Sequence, residues 1–292
     1  MALKLMYITN KPDIALIAEK AGVDYIFIDM ECIGKKQRQG GMDTVQCRHT
    51  IDDIKAIRSV IKKAHIMVRV NPIHEAGVYD GIHYNSSQEE IEQAIQAGAD
   101  IIMLPYFKSV EEVSQMIDHI GGRAKAFPLL ETPEAVEVIG DILNLPGIDQ
   151  IHVGINDLSL GMNSGFMFGL LADGTVEKIA DKCKEYHIPF GFGGIASLGK
   201  GMLPAEYIIG EHYRMGSEFA ILSRSFCNCR RMTDLSEIEN IFTKGIQQIR
   251  TLEAELSDRK AAGDETYFQE NRKELARRVE LIQGQMKVRM EQ

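Results

Sequence analysis

At 292 residues, 45% hydrophobic and 26% charged, the chain can bury a large core and suits one big α/β domain better than a string of small ones. A formal charge of −9 speaks against nucleic acid as a partner, while leaving room for a local positive pocket that takes a small anion. No run reaches the roughly 18 apolar residues of a membrane span, and the opening MALKLMYIT lacks a signal peptide's length, charged start and cleavage site. A cytoplasmic protein with no membrane partner is therefore expected. Cysteines at positions 32, 47, 183, 227 and 229 are odd in number and include no CxxC pair, which predicts reduced thiols rather than a disulfide frame or a zinc knuckle.

Apolar runs of strand length alternate with helical stretches, the pattern of a parallel sheet. The runs fall near Leu3–Ile8, Tyr25–Asp29, Ile66–Val70, Ile101–Leu104, Lys125–Leu130, Gln150–Val153, Ile188–Phe192 and His212–Met215. Eight such units over about 220 residues predict a (β/α)8 TIM barrel spanning 1–225. The doubly wound open sheet is the rival, but Thr9-Asn10-Lys11-Pro12 stands where its glycine-rich dinucleotide turn would follow the first strand.

Helices fill the gaps with recognisable ends. Pro12 to Ala21 stops at Gly22, Thr50 to Ala64 opens on Thr50-Ile51-Asp52-Asp53, and Ser87 to Ala97 stops at Gly98. The polar stretch from Cys32 to His49, with its Gly-Gly, is too long for a routine barrel loop; it is either a lid or a tolerated surface insertion. Beyond Ser225 the strand pattern ends. Leu235, Ile238, Ile241, Ile246, Ile249, Leu252 and Leu256 form one helical stripe, and Leu275, Val279, Ile282 and Met286 a second one after Gly263-Asp264. These C-terminal amphipathic helices, 226–292, need cover from the barrel or from a neighbouring subunit, and a homo-oligomer is the expectation.

Chemistry concentrates between Phe127 and Gly161. Two apolar runs there each stop at a carboxylate, Glu131 and Asp157, 26 positions apart. One β-α-β crossover has that length, so both acids should emerge at the carboxyl-terminal edge of the sheet, where two oxygen ligands suit a hard divalent cation such as Mg²⁺ or Mn²⁺. The bland alternatives are a solvated glutamate before a helix start and an aspartate capping a turn. Arg69, near the end of an otherwise apolar strand, is either paired with Asp29 or Glu31 or held ready for a substrate's oxygens. Asp29 and Glu31 share one face of the second strand's end and could support the metal's waters or orient Arg69. Gly154-Ile155-Asn156-Asp157 and Gly191-Phe192-Gly193-Gly194 read as turns where backbone N–H groups approach a ligand. His152 reads as a core residue, and His65 and His187 as lying at the wrong end of the barrel.

Taken together, AGVDYIFIDMEC, VRVN, AGADIIMLP, LLETPEAV and LPGIDQIHVGINDLSLG resemble the HpcH/HpaI aldolase family, relatives of the citrate lyase beta subunit, over about Ala21 to Ser225. The resemblance implies a phosphoenolpyruvate/pyruvate-type barrel, a divalent metal on Glu131 and Asp157, and Arg69 facing a pyruvyl oxygen. It further implies a substrate carboxylate received around Gly154, Ile155, Asn156 and Asp157, and cleavage or formation of a 4-hydroxy-2-oxo acid from an aldehyde and a small 2-oxo acid such as pyruvate. The family's aldolases carry a histidine directly after the DxE acid pair. Here that position is Cys32, a poor proton carrier beside acids, for which His49 or a metal-bound water is the substitute. Thioester lyases lack that histidine too, although no basic cluster suited to coenzyme A phosphates stands out in the sequence. A catalytically silent oxo-acid-binding or assembly subunit is the third reading.

Overall fold

The computed structural model describes residues 2–39 and 47–290. Its strands are β1 (Lys4–Ile8), β2 (Tyr25–Asp29), β3 (His65–Arg69), β4 (Gly77–Tyr79), β5 (Ile82–Tyr84), β6 (Ile101–Leu104), β7 (Lys125–Leu130), β8 (Ile151–Val153), β9 (Phe190–Ile195) and β10 (Phe219–Leu222). Eight of them close a parallel barrel in the order β1-β10-β9-β8-β7-β6-β3-β2. The chain is a (β/α)8 barrel, as its alternation of apolar and helical stretches predicts.

The alternation of side chains along each strand sets what reaches the barrel mouth. Met6, Tyr25, Phe27, Met67, Ile101, Met103, Phe127, Leu129 and Phe219 fill the barrel interior, while Ile26, Ile28 and Val68 face the helices. Continuing the inward parity by two residues places Asp29 after Phe27, Arg69 after Met67 and Glu131 after Leu129 on the inner wall at the C-terminal end. β2 and β3 run in register there, with Asp29 opposite Arg69.

Two sequence expectations need correction. His212–Met215 is the last turn of the Ala205–Met215 helix, and the closing strand is Phe219–Leu222. Ile208, Ile209, His212 and Met215 repeat at helical spacing, and the His212 ring stacks on Phe192 at 3.8 Å between centroids, so this short apolar run is a helix face turned to the barrel. The Gly191-Phe192-Gly193-Gly194 stretch is not a turn but the middle of β9. Gly191 is required there by close packing, because a Cβ would stand 2.4 Å from that of Phe219 and 2.8 Å from His152 Nδ1.

The helix ends follow their chemistry. Gly22 and Gly98 take positive φ, 101° and 112°, after their helices. Thr50 forms a capping box with Asp53 for the Ile51–Val60 helix, which ends earlier than Ala64. The β4–β5 hairpin has no counterpart in the sequence reading.

The C-terminal stripes are covered by the barrel's own helices. Leu235–Ala261 buries Ile238, Phe242, Ile246 and Ile249, with Phe242 edge-on to Tyr7 at 4.8 Å. In Glu265–Met290, Phe268, Leu275 and Val279 are buried, and Asn271 sits so close under Gly210 that a Cβ there would meet it at 2.7 Å. The uncovered stripes that favoured an oligomer are thus largely satisfied within one chain.

Candidate active site

At the C-terminal mouth, Arg69 is locked by a two-pronged pair with Asp29: Nε to Oδ1 and Nη2 to Oδ2, both 2.8 Å. Its Nη1 stands 3.3 Å from Glu31 Oε2. Of the two alternatives for Arg69, structural pairing is what the geometry contains. Lys35, only 3% exposed, adds its Nζ to the same acids at 2.9 Å from Asp29 and 3.1 Å from Glu31, and Arg38 pairs with Glu31. Arg69 and Lys35 hold the Asp29 carboxyl below the usual range against the opposing effect of burial. Desolvating such ions costs several kcal/mol each, so removing one partner should cost about 3–5 kcal/mol by leaving the others uncompensated.

Lys35 and Arg38 belong to a short helix, Lys35–Gln39, in the Cys32 to His49 stretch expected to be a lid or a surface insertion. Its described part lies over the mouth: Arg38 stacks on the Tyr106 ring at 3.8 Å. Residues 40–46 of that stretch lie outside the described residues.

Glu131 stands just past β7, 3% exposed, with Oε1 accepting the backbone N–H of Tyr106 at 3.0 Å. Tyr106 adopts a positive φ of 48° to present it. Burial first, then the negative charges of Glu31 and Asp157, push the Glu131 carboxyl well above its ordinary pKa, with Arg69 opposing. Asp157 is buried in the first turn of the short Ile155–Gly161 helix after β8. The Gly154 N–H is spent on the Leu130 carbonyl at 2.9 Å, so it does not serve a ligand; the N–H groups of Ile155, Asn156 and Asp157, at the helix start, have no partner within that helix. Gly154 matters for room: a Cβ there would stand 2.6 Å from Glu131 Oε2.

Among the described residues no group of three or more His, Cys, Asp and Glu side chains is arranged to hold a metal ion. The Glu131–Asp157 pair nevertheless suits one. Glu131 is a buried carboxyl raised in pKa by neighbouring carboxylates, and two hard oxygen donors leave the other positions to water and substrate, as Mg²⁺ accepts.

The proton-transfer candidates are constrained. Cys32 donates its N–H to Asn71 Oδ1 at 2.8 Å, and burial together with the charge of Asp29 raises its thiol pKa, with Tyr84 of the hairpin as side-chain partner. His49 Nδ1 accepts the Asp29 N–H at 3.0 Å, which leaves the neutral ring's proton on Nε2, and burial lowers its pKa. His49 is thus built as a donor rather than a base. It borders two cavities of about 470 and 490 Å³, the second also lined by Asn156. His152, buried with Nε2 at 3.3 Å from the Gly193 carbonyl and its pKa lowered to about 4 by burial, is a core residue as read from sequence.

Sequence reasoning missed Lys35, Arg38 and Tyr106, and it found no basic cluster. The fold assembles one in the second cavity from Lys11, Arg48, Arg224 and Arg230.

A closed parallel barrel with buried acids and a clamped arginine at its C-terminal mouth defines a TIM-barrel enzyme scaffold. The chain belongs to the HpcH/HpaI aldolase/citrate lyase family, whose profile matches residues 4–165, and membership supports a lyase-type activity. Its fold is similar to an HpcH/HpaI aldolase from Desulfitobacterium hafniense DCB-2, with a TM-score of 0.56 and 18% identity over 85% of this chain and 93% of that one. It is also similar to an HpcH/HpaI aldolase/citrate lyase family protein from Burkholderia cenocepacia J2315, with a TM-score of 0.55 and 14% identity over 81% and 95% of the two chains. No curated protein matches the sequence significantly.

Proposed function

We propose that the protein is a divalent-metal-dependent carbon–carbon lyase that cleaves or forms a 4-hydroxy-2-oxo acid, with pyruvate or a close relative as the enolate-forming half. The observation that carries this is the buried Glu131 carboxyl, forced upward in pKa by burial and by Glu31 and Asp157, facing the clamped Arg69. Glu131 and Asp157 would hold the cation, Mg²⁺ or Mn²⁺, which when bound supplies Lewis-acid polarisation of the keto oxygen.

The chain's own residues do the rest. Asp29 and Lys35 keep the Arg69 guanidinium in one orientation, so its N–H groups meet negative charge developing on the enolate oxygen without reorganising. The helix-start N–H groups of Ile155, Asn156 and Asp157 receive the substrate carboxylate. Cys32, with a raised thiol pKa, stays protonated, and His49 Nε2–H donates toward the hydroxyl-bearing half.

We further propose a cytoplasmic enzyme, in keeping with five free cysteines, and no described helix is long and apolar enough to cross a membrane. A homo-oligomer is proposed with the exposed Leu281 and Val288 of the last helix as its contact. The test is exchange of pyruvate methyl protons into D₂O, followed by NMR with Mn²⁺ or Mg²⁺ added. Exchange should vanish with EDTA and fall about 10²–10³-fold in Glu131→Gln, in line with the loss of a main electrostatic contributor. Exchange that survives both would sink the reading, and turnover of an acyl-CoA thioester alone would move it to the thioester lyases.

A further inference from the structure

The barrel closes where β1 pairs with β10, and the cavity of about 490 Å³ lies at the C-terminal end of that seam. Lys11 follows β1, Arg48 precedes the Ile51–Val60 helix, and Arg224 and Arg230 follow β10, so residues 213 positions apart in sequence (11 and 224) line one space. Among the described residues lining it there is no aspartate or glutamate, although the chain as a whole carries 42 acids against 33 lysines and arginines. The local field is thus opposite in sign to the protein's net charge, which concentrates anions there.

Neutral groups hold the cations in place. Lys11 Nζ donates to the Cys229 carbonyl at 3.3 Å, and Arg230 rests on Cys47 Sγ at 3.5 Å. Asp53, which reaches toward this loop, is engaged by Asn10 Nδ2 at 3.2 Å and by the Thr50 cap. The guanidinium fork suits two oxygens of one phosphate or carboxylate better than any neutral group. Asn156, one residue before Asp157, and His49 line the same cavity, so it continues from the mouth and is large enough for the outer part of a small substrate. Arg224 and Arg230 lie beyond residues 4–165 and hence outside the stretch that the family profile matches.

We propose that the seam cavity is a binding site for an oxyanion, a phosphate or a carboxylate, carried on the end of the substrate remote from the oxo-acid group. The oxo-acid end of this substrate rests on the lyase reading; the anion end rests on the cavity alone. Substrates with a charged remote end are then preferred over neutral ones of the same length.

The test is calorimetric titration of the full chain with inorganic phosphate and, separately, with succinate, at low ionic strength. Three proteins are compared: the wild type, Arg224→Gln/Arg230→Gln, and Lys62→Gln/Lys63→Gln as a charge-matched control on another surface. Saturable binding to the wild type, weakened at least about tenfold in the arginine variant and kept in the control, is expected. The tighter of the two probes identifies the group as phosphoryl or carboxylate. Absence of saturable binding to the wild type, persistence in the arginine variant, or equal loss in the control overturns the proposal. Pyruvate exchange by the wild type is measured alongside. Anion binding without exchange removes the lyase reading and leaves the site; exchange without anion binding removes the site and leaves the lyase.

Discussion

Replacing Glu90 by glutamine should abolish a weakness of the fold that appears as pH rises. Glu90, half-buried on the Ser87–Ala97 helix, accepts from the Asn71 N–H at 3.2 Å and from Nδ2 at 2.9 Å. Asn71 Oδ1 in turn takes the N–H groups of Cys32 and Ile33 at 2.8 and 2.9 Å, so Glu90 holds the start of the segment over the mouth through one intermediate side chain. Burial outweighs both hydrogen bonds and raises its pKa from 4.5 to about 7. Because the folded value lies above the unfolded one, its contribution to stability is complete below the unfolded value and is lost as pH rises through the folded value. The difference corresponds to about 3 kcal/mol at most, and partial solvent screening brings the expectation to about 1–3 kcal/mol. Urea unfolding at about pH 5 and about pH 8 measures it: the wild type should lose that amount relative to Glu90→Gln between the two conditions. Equal pH dependence in the two proteins would show that Glu90 ionises as freely in the fold as outside it, and the reasoning from burial would be refuted.

Gly154→Ala should leave the barrel folded but displace the Glu131 carboxylate, since the new methyl would meet Oε2 at 2.6 Å and Cβ at 2.8 Å. Mn²⁺ affinity, read by water-proton relaxation, should fall at least about tenfold, and unchanged affinity would remove Glu131 from the metal site. Cys229, whose thiol lies 3.0 Å from the Tyr7 hydroxyl and 3.5 Å from Cys227 Sγ, has its pKa lowered to about 7 by those donors and by Lys11. Its alkylation by iodoacetamide, mapped by mass spectrometry, should rise with pH to a midpoint near that value, and Tyr7→Phe should move the midpoint upward. Cys183, pushed up to about 12 by burial, should stay unmodified at neutral pH; equal labelling of the two would contradict the assignment.

Much of the barrel was legible because its inner and outer walls are written in two-residue alternation, and the same parity carries Asp29, Arg69 and Glu131 inward. What escaped did so for physical reasons. The eighth strand, Phe219–Leu222, is four residues long, and the neighbouring run His212–Met215 is equally apolar; periodicity over four residues does not separate a strand from one helical turn. Lys35 and Arg38 lie in a polar stretch that composition assigns to the surface, yet they are drawn inward by acids that only the fold brings beneath them. The basic cluster is invisible in the sequence because barrel closure, not chain proximity, joins its parts. His49 was singled out for its place at the end of the long loop, but only the hydrogen bond to Nδ1 shows which of its nitrogens can act.

The charge cluster at the mouth has a stoichiometric consequence. Asp29, Glu31, Glu131 and Asp157 are four carboxylates set against three cations, Lys35, Arg38 and Arg69, among the described residues. With every group ionised the mouth is one negative charge in excess. A divalent cation by itself would overshoot by one positive charge, and a monoanionic oxo acid by itself would double the deficit, whereas the two together bring the mouth to neutrality. Electroneutrality in a buried space thus makes cation and oxo acid partners in entry, each raising the other's affinity by the same factor.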